Sequence, residues 1–197
     1  MHMNSNDATE PKGPVPFLQE KRILLTAALV LLADQLTKLI VIGTIEPPDA
    51  ETNFRGEEII IIEGFLKFLH WENSGAAWSI MEGKSMYLAA ISVIALWMLI
   101  YFRNEFEIRS QTGKLAMGIL IGGIVGNLID RVVHQHVVDF VRFYLKQRGG
   151  NEIGYPAFNI ADMGICVGVG LLFVMAWREQ EADESEAGET ETGTKDE

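Results

Sequence analysis

The chain has 197 residues, of which 48% are hydrophobic, and a formal net charge of −11 at pH 7. Its single cysteine, Cys166, excludes disulfides and thiolate-metal clusters. A mean hydropathy of +0.15 would also fit a soluble protein, but polar ends dilute the signal of the apolar segments between them. Residues 179–197 alone hold nine acidic residues against Lys195, which is a net charge of −8 out of the −11 of the whole chain.

Polar segments are predicted at both ends of the chain. Residues 1–22 form a polar, proline-containing leader, and residues 178–197 form an acidic tail. The composition of the tail predicts disorder, because it offers too little apolar surface to bury. The membrane domain is therefore expected between these segments, over residues 23–177.

Four apolar runs follow one another in that domain, at residues 23–45, 86–102, 115–133 and 160–177. Each approaches the roughly 20 residues with which a helix crosses about 30 Å of hydrocarbon. The first run is longer than the apolar region of a cleaved signal peptide and is interrupted by polar residues. The pattern predicts a mainly α-helical membrane protein with four transmembrane helices.

An even number of spans places both termini on one side of the membrane. Four basic residues flank the predicted helices on that side: Arg22, Arg103, Lys114 and Arg178. Because basic residues favour the cytoplasmic side, both termini are predicted to be cytoplasmic. The loops 46–85 and 134–159, which also carry basic residues, then lie outside.

The first outer loop contains a β-hairpin pattern. Residues 57–62 are rich in isoleucine, Glu63-Gly64 offers a turn, and residues 65–71 continue in an extended pattern. This loop is therefore expected to build a small extracytoplasmic sheet.

Small residues recur every four positions in the last two predicted helices. Gly118, Gly122 and Gly126 do so in the third helix, and Gly164 and Gly168 in the fourth. Such spacing is typical of membrane helices whose backbones approach closely. We interpret these glycines as packing residues.

Charged residues inside the predicted helices need partners, because a charge at the centre of a membrane costs about 2.5–3.5 kcal/mol. Asp34 and Lys38 are one helical turn apart and can pair. Asn127, Asp130 and Arg131 share one face of the third helix. All five lie in the outward halves of their helices, so they are expected near the outer surface.

Two aspartates lie beside predicted spans at that same surface. Asp139 follows the third helix, and Asp162 opens the fourth, where Asn159 is a plausible N-cap. If the carboxylates face each other they cannot both ionise easily, so one holds a shared proton while the other activates a water molecule. That is the chemistry of an aspartic protease.

Residue types alone leave other classes open. A metal hydrolase could use His134 and His136 with the two aspartates, and a serine protease could pair Ser74 with His70. A proton-coupled transporter would also carry charges in its helices, but broken helices and repeated halves are not evident. A helix scaffold would explain the glycines but not Asp139.

Five sequence blocks narrow the choice. They are Asp34-Gln35-x-x-Lys38, Asn73-Ser74-Gly75-Ala76-Ala77-Trp78, Gly123-x-x-Gly126-Asn127-x-x-Asp130-Arg131, Val138-Asp139-Phe140 and Phe158-Asn159-Ile160-Ala161-Asp162. With these blocks in this order, the chain resembles the lipoprotein signal peptidase (signal peptidase II) family over nearly all of its hydrophobic body. Trp78 stands where that family usually has phenylalanine.

The resemblance implies a membrane aspartic endopeptidase that removes the signal peptide from diacylglyceryl-modified bacterial prolipoproteins, cleaving just before the lipidated cysteine. Asp139 and Asp162 take the catalytic positions. The resemblance also implies residues that bind substrate or support the active site: Asp34, Lys38, Asn73, Gly75, Asn127, Asp130, Arg131 and Asn159.

The same resemblance implies no metal and no organic cofactor. The expected partners are prolipoprotein signal peptides with a diacylglyceryl cysteine and membrane lipid, but no nucleic acid, and the enzyme is expected to act as a monomer. It implies the inner membrane of a bacterium, with the active site at the outer face beside a small β-sheet platform.

Overall fold

The computed structural model describes residue 17 and residues 20–49, 51–52, 54–76, 80–103, 110–149 and 151–193. In chain order these residues form helix α1 (Lys21–Thr44), strands β1 (Glu58–Ile62) and β2 (Leu66–Asn73), helices α2 (Ser85–Tyr101) and α3 (Gln111–Val133), strands β3 (Val137–Lys146) and β4 (Glu152–Gly154), and helix α4 (Ile160–Gly193).

The four predicted helices are present. Within the described ranges, α1, α3 and the segment Ile160–Arg178 of α4 are long and apolar enough to cross a membrane. Helix α2 is also apolar but has only 17 residues. The prediction of a mainly α-helical protein with four apolar helices and a small sheet is confirmed, with α2 shorter than the other three.

Helix α4 extends beyond the predicted span. The sequence predicts the end of the span at residue 177 and disorder from residue 178, but the helix continues to Gly193. Trp177 Nε1 donates a hydrogen bond to Glu181 Oε1, 2.7 Å away, across one turn. Glutamate, the most frequent residue of this segment, is a good helix former, and the structure has a helix as far as Gly193 where the sequence predicts disorder. The division into leader, membrane domain and tail stays a prediction, and most of the leader lies outside the described residues.

Helix α3 is the central helix of the bundle and packs against α1, α2 and α4. A Cβ atom added at Gly118 would lie 2.6 Å from Cβ of Thr26 in α1. A Cβ atom added at Gly168 of α4 would lie 2.8 Å from Cβ of Leu120. The predicted role of these glycines in close packing is therefore confirmed on both sides of α3.

The four strands form one antiparallel sheet in the order β1-β2-β3-β4. It lies at the end of the bundle where α1 and α3 end and α4 begins. Gly64 turns the predicted hairpin with φ of 75°. The ten-residue strand β3 was not predicted. In its register with β2, Trp71 lies opposite Asp139.

Two contacts fix this sheet. Val41 of α1 packs in one buried cluster with Val138 and Phe140 of β3, which joins the sheet to the bundle. At the far side of the sheet, the Lys67 ammonium lies 2.8 Å from Glu58 and 2.6 Å from Glu152 and joins β1 and β4 to β2. Burial lowers the pKa of Lys67, but the hydrogen bonds to these carboxylates outweigh it, so its pKa is raised.

Candidate active site

Asp139 and Asp162 line the same cavity. Asp139 is the third residue of β3, held between two residues of the buried cluster, and Asp162 is the third residue of α4. The cavity has a volume of about 610 Å³ and lies between α2, α3, α4 and the sheet. We call it the carboxylate cavity. The structure thus brings both predicted aspartates to one chamber.

Neutral amides bind the Asp139 carboxylate. Asn73 Nδ2 donates to Oδ2 at 2.9 Å, and Asn159 Nδ2 donates to Oδ1 at 2.7 Å. The whole Asp139 residue is only 2% exposed. Burial and the nearby charge of Asp162 raise the pKa of Asp139 to about 7, although the hydrogen bond from Asn73 opposes the rise. Asp139 can therefore hold a proton near neutral pH.

Asp162 accepts hydrogen bonds from a backbone amide and from a side-chain amide. Asn159 caps α4, because its Oδ1 accepts from the Asp162 N–H at 2.9 Å while Asp162 Oδ2 accepts from the Asn159 N–H at 3.2 Å. This reciprocal pair confirms the predicted N-cap. Asn127 Nδ2 donates to Asp162 Oδ1 at 2.7 Å.

Asn127 and Asn159 connect the two carboxylates. The oxygen Oδ1 of Asn127 accepts from Lys38 Nζ at 3.0 Å and from Asn159 Nδ2 at 3.1 Å. These two donors fix the orientation of the Asn127 amide, so that its nitrogen points to Asp162. Asn159 donates to Asp139 as well, so it contacts both carboxylates.

A buried charge cluster supports this arrangement from α1 and α3. Lys38 Nζ lies 2.8 Å from Asp34 and 2.7 Å from Asp130, which confirms the predicted contact of Asp34 with Lys38. Gln35 Nε2 donates to both carboxylates, at 3.1 and 3.0 Å. Asp34 also accepts from the Ala161 N–H of α4 at 2.9 Å. Since every charge has a partner, the cluster can be buried in the bundle.

Arg131 adds a cation to the wall of the carboxylate cavity. Its guanidinium donates to the carbonyl of Asn127 at 3.2 Å and to the carbonyl of Gly75 at 3.4 Å. Gly75 N–H in turn donates to Asn73 Oδ1 at 3.0 Å. A Cβ atom on Gly75 would lie 2.8 Å from the carbonyl oxygen of Ile80, so a larger residue does not fit there.

All ten site residues named from the sequence belong to one connected group of contacts. Sequence reasoning missed Gln35 as a contributor, although it stands inside the first sequence block. It also missed the apolar wall from α2, where Leu88 and Ile91 face the cavity. The α2 run shows no apolar face by its pattern, so no signal in it marks these positions. Residues 77–79, including the unusual Trp78, lie outside the described residues.

The structure does not assemble the sites of the two alternative hydrolases. His70 Nδ1 lies 3.0 Å from the carbonyl oxygen of Ile45, and Ser74 Oγ accepts from the Gly83 N–H at 3.2 Å. The hydrogen-bond partners of His70 and Ser74 are therefore backbone groups and not each other. Among the described residues, no group of three or more His, Cys, Asp and Glu side chains is placed to hold a metal ion.

Apolar helices around a buried carboxylate pair define a multi-pass membrane protein with a hydrolase-like site. The profile of the signal peptidase (SPase) II family matches residues 26–178. The chain is 38% identical over 151 residues to the lipoprotein signal peptidase of Listeria monocytogenes serotype 4a (strain HCC23), covering 77% of this chain and 89% of that protein. It is 35% identical over 148 residues to the lipoprotein signal peptidase of Bacillus subtilis (strain 168), covering 75% and 88%.

The fold agrees with these matches. A solved structure described as a bacterial membrane enzyme, determined at 2.3 Å by the in meso method, superposes with a TM-score of 0.67 at 30% identity. The superposition covers 81% of this chain and 90% of that one. The chain belongs to the signal peptidase II family, and it is a peptidase.

Proposed function

We propose that the chain is an aspartic endopeptidase that removes the signal peptide from diacylglyceryl-modified bacterial prolipoproteins, cleaving just before the lipidated cysteine. Removal of signal peptides from prolipoproteins follows from its family. The aspartic mechanism is supported by one observation above all: Asp139 and Asp162 line the same cavity and are joined through Asn127 and Asn159.

The raised pKa of Asp139 suggests how the two carboxylates divide their tasks. Protonated Asp139 donates its proton to the oxygen of the scissile carbonyl, and ionised Asp162 takes a proton from a water molecule between them. The water oxygen attacks the carbonyl carbon and forms a tetrahedral diol. When the C–N bond breaks, the proton on Asp162 passes to the leaving nitrogen, and Asp139 recovers its proton from the diol.

The remaining predicted residues act on this pair through contacts. Asn73, Asn127 and Asn159 orient the carboxylates by hydrogen bonds. Asp34, Lys38 and Asp130 form the charge cluster that orients Asn127. Arg131 and Gly75 brace the wall beside Asn73, where the Arg131 cation can bind a carbonyl of the substrate. We assign the three asparagines and the charge cluster to positioning rather than to proton transfer.

The shape of the carboxylate cavity supports lateral entry of the substrate from the lipid. Its wall combines apolar side chains of α2 and α4, including Leu88, Ile91 and Val169. Helix α2 packs on α3, and the cavity lies between α2 and α4. An apolar signal segment can enter between these two helices while the acyl chains of the lipidated cysteine stay in the bilayer.

We also propose that the enzyme acts as a monomer in the bacterial inner membrane, with both termini in the cytoplasm. The basic residues that flank the helices support this orientation, and the site then lies at the outer face. A reporter fused to the C-terminus tests it. Activity of a reporter that works only in the cytoplasm is expected, whereas activity of one that works only outside would reverse the orientation.

The decisive experiment measures cleavage of a diacylglyceryl-modified prolipoprotein by the purified chain in detergent, with and without a chelator. The wild type is expected to cleave in both conditions. Asp139→Asn and Asp162→Asn should each abolish cleavage while the protein stays folded and inserted. Asp49→Asn, which alters an exposed aspartate of the outer loop, serves as the control and should leave cleavage intact.

Retained turnover in either Asp139→Asn or Asp162→Asn would eliminate the two-carboxylate mechanism. Loss of cleavage with chelator would point instead to a metal-dependent reaction. A prolipoprotein without the diacylglyceryl group, supplied at the same concentration, tests the substrate class. Equal cleavage of both forms would contradict the proposed requirement for the lipid.

A further inference from the structure

A second cavity adjoins the carboxylate cavity on the sheet. It has a volume of about 260 Å³, and we call it the sheet cavity. Asn73, Ala76 and residues 155–157 line both cavities. Trp71 and Arg142 line the sheet cavity but not the carboxylate cavity. The two cavities therefore lie on either side of one shared wall that contains Asn73.

This continuity places the sheet cavity on the path of the substrate. Asn73 donates to Asp139, and Trp71 lies directly opposite Asp139 in the β2–β3 register. The site must accommodate the peptide on both sides of its scissile bond. If its apolar signal segment occupies the carboxylate cavity between the helices, the chain after the cleavage site must leave toward the strands, which lie beyond the membrane-spanning segments. The sheet cavity is the space next to Asn73 on that side.

The charge of the sheet cavity comes from Arg142. This side chain is half-buried, and in the described part of the chain its guanidinium forms no hydrogen bond and no ion pair. Lys67 lies opposite Arg142 in the strand register, but Glu58 and Glu152 neutralise Lys67. Arg142 is therefore a cation left available to a bound peptide, beside the exposed indole of Trp71.

We propose that the sheet cavity binds the first residues of the mature lipoprotein after the lipidated cysteine, and that Arg142 favours an acidic side chain there over a basic one. This inference depends on the proposed function and adds a determinant of substrate choice to it. Arg142 acts by binding and takes no part in proton transfer.

The test uses lipidated peptides that share one signal segment and carry a single Asp, Asn or Lys at the second, third or fourth mature position. At one of these positions, the wild type should cleave the Asp peptide about twofold to fivefold more efficiently than the Lys peptide, as expected for a partly exposed ion pair. The difference should appear in KM rather than in kcat, because the ion pair stabilises the bound substrate and the transition state equally.

Variants separate a charge effect from a structural one. Arg142→Gln should remove the preference, and Arg142→Glu should reverse it in favour of Lys. Arg148→Gln, which removes an arginine from the exposed turn after β3, should keep the preference of the wild type. Arg142→Lys should retain part of it, because it retains the charge.

The outcomes are distinguishable. Equal cleavage of all peptides by the wild type, or a loss in Arg142→Gln that is the same for all of them, would overturn the role of Arg142 and leave the proposed function standing. A loss that appears only in vesicles with anionic lipid, whatever the peptide, would assign Arg142 to lipid headgroups and also overturn it. Absence of cleavage of every peptide would overturn both proposals.

Discussion

The buried Asp139 carboxylate should make the folded protein less stable as the pH rises. In the folded chain the pKa of this group is about 7, because burial and the charge of Asp162 disfavour ionisation, whereas the ordinary value is 3.8. Between these two values the folded state binds more protons at this site than the unfolded state. The contribution of this group to the free energy of unfolding is therefore fully present below about pH 4 and is lost as the pH rises to about 7.

The magnitude follows from the two pKa values. Each pH unit within that interval changes the free energy of unfolding by about 1.4 kcal/mol, so the change between pH 5 and pH 8 amounts to about 2–3 kcal/mol. Asp139→Asn removes the ionisation but keeps the size of the side chain. Hydrogen bonds lost in the variant cost the same at both pH values. Relative to the wild type, the variant should therefore gain about 2–3 kcal/mol between pH 5 and pH 8.

The assay is reversible unfolding in detergent, followed by tryptophan fluorescence at pH 5 and pH 8 for the wild type and the variant. Asp49→Asn serves as the control, because Asp49 is exposed and its hydrogen bond from Thr52 lowers its pKa. That control should show no gain at pH 8. A difference between Asp139→Asn and wild type that is the same at both pH values would refute the view that ionisation of Asp139 destabilises the folded protein.

Three further predictions concern activity, packing and access. Above about pH 7, kcat/KM should fall about tenfold per pH unit, because the pair that includes Asp139 loses its shared proton; a pH–rate profile measures this, and a flat profile to pH 9 would contradict it. Gly126→Ala should lower the stability by about 1–3 kcal/mol, because its Cβ would lie 2.5 Å from Asp34 Oδ2, whereas Gly170→Ala, with open space around it, should not; thermal unfolding compares them. Cys166 lines the carboxylate cavity, so labelling of this single thiol by a maleimide should slow when a lipopeptide is bound, and unchanged labelling would argue against binding there.

Much of the fold depends on interactions between residues close in sequence, which is why it could be predicted. A helix of about 20 apolar residues is evident from composition alone. The contact of Asp34 with Lys38 spans four residues, and the reciprocal cap of Asn159 with Asp162 spans three. The Gly64 hairpin likewise follows from its own turn chemistry. Each of these features is specified within one or two helical turns or one hairpin.

The contacts that assemble the candidate site are long-range, and no local pattern specifies them. Asn73 donates to Asp139 across 66 residues, because β3 pairs with β2, and the sequence did not predict β3. Lys38 and Asn127 meet across 89 residues through the packing of α1 on α3. The family resemblance named these residues, but it did not say which atom of each contacts which carboxylate.

The choice of groups around the two carboxylates explains how the site keeps one proton near neutral pH. The side chains that donate directly to Asp139 are the neutral amides of Asn73 and Asn159, which orient it without bringing a positive charge into contact. The buried ammonium of Lys38 is held by two carboxylates and donates to the Asn127 oxygen rather than to the pair itself, and its charge lowers the pKa of Asp139 less than burial raises it. A lysine in direct contact would lower the pKa of Asp139 and remove the proton that the reaction needs. The charge cluster therefore sets the orientation of the Asn127 amide, while burial and the charge of Asp162 keep Asp139 able to hold its proton near neutral pH.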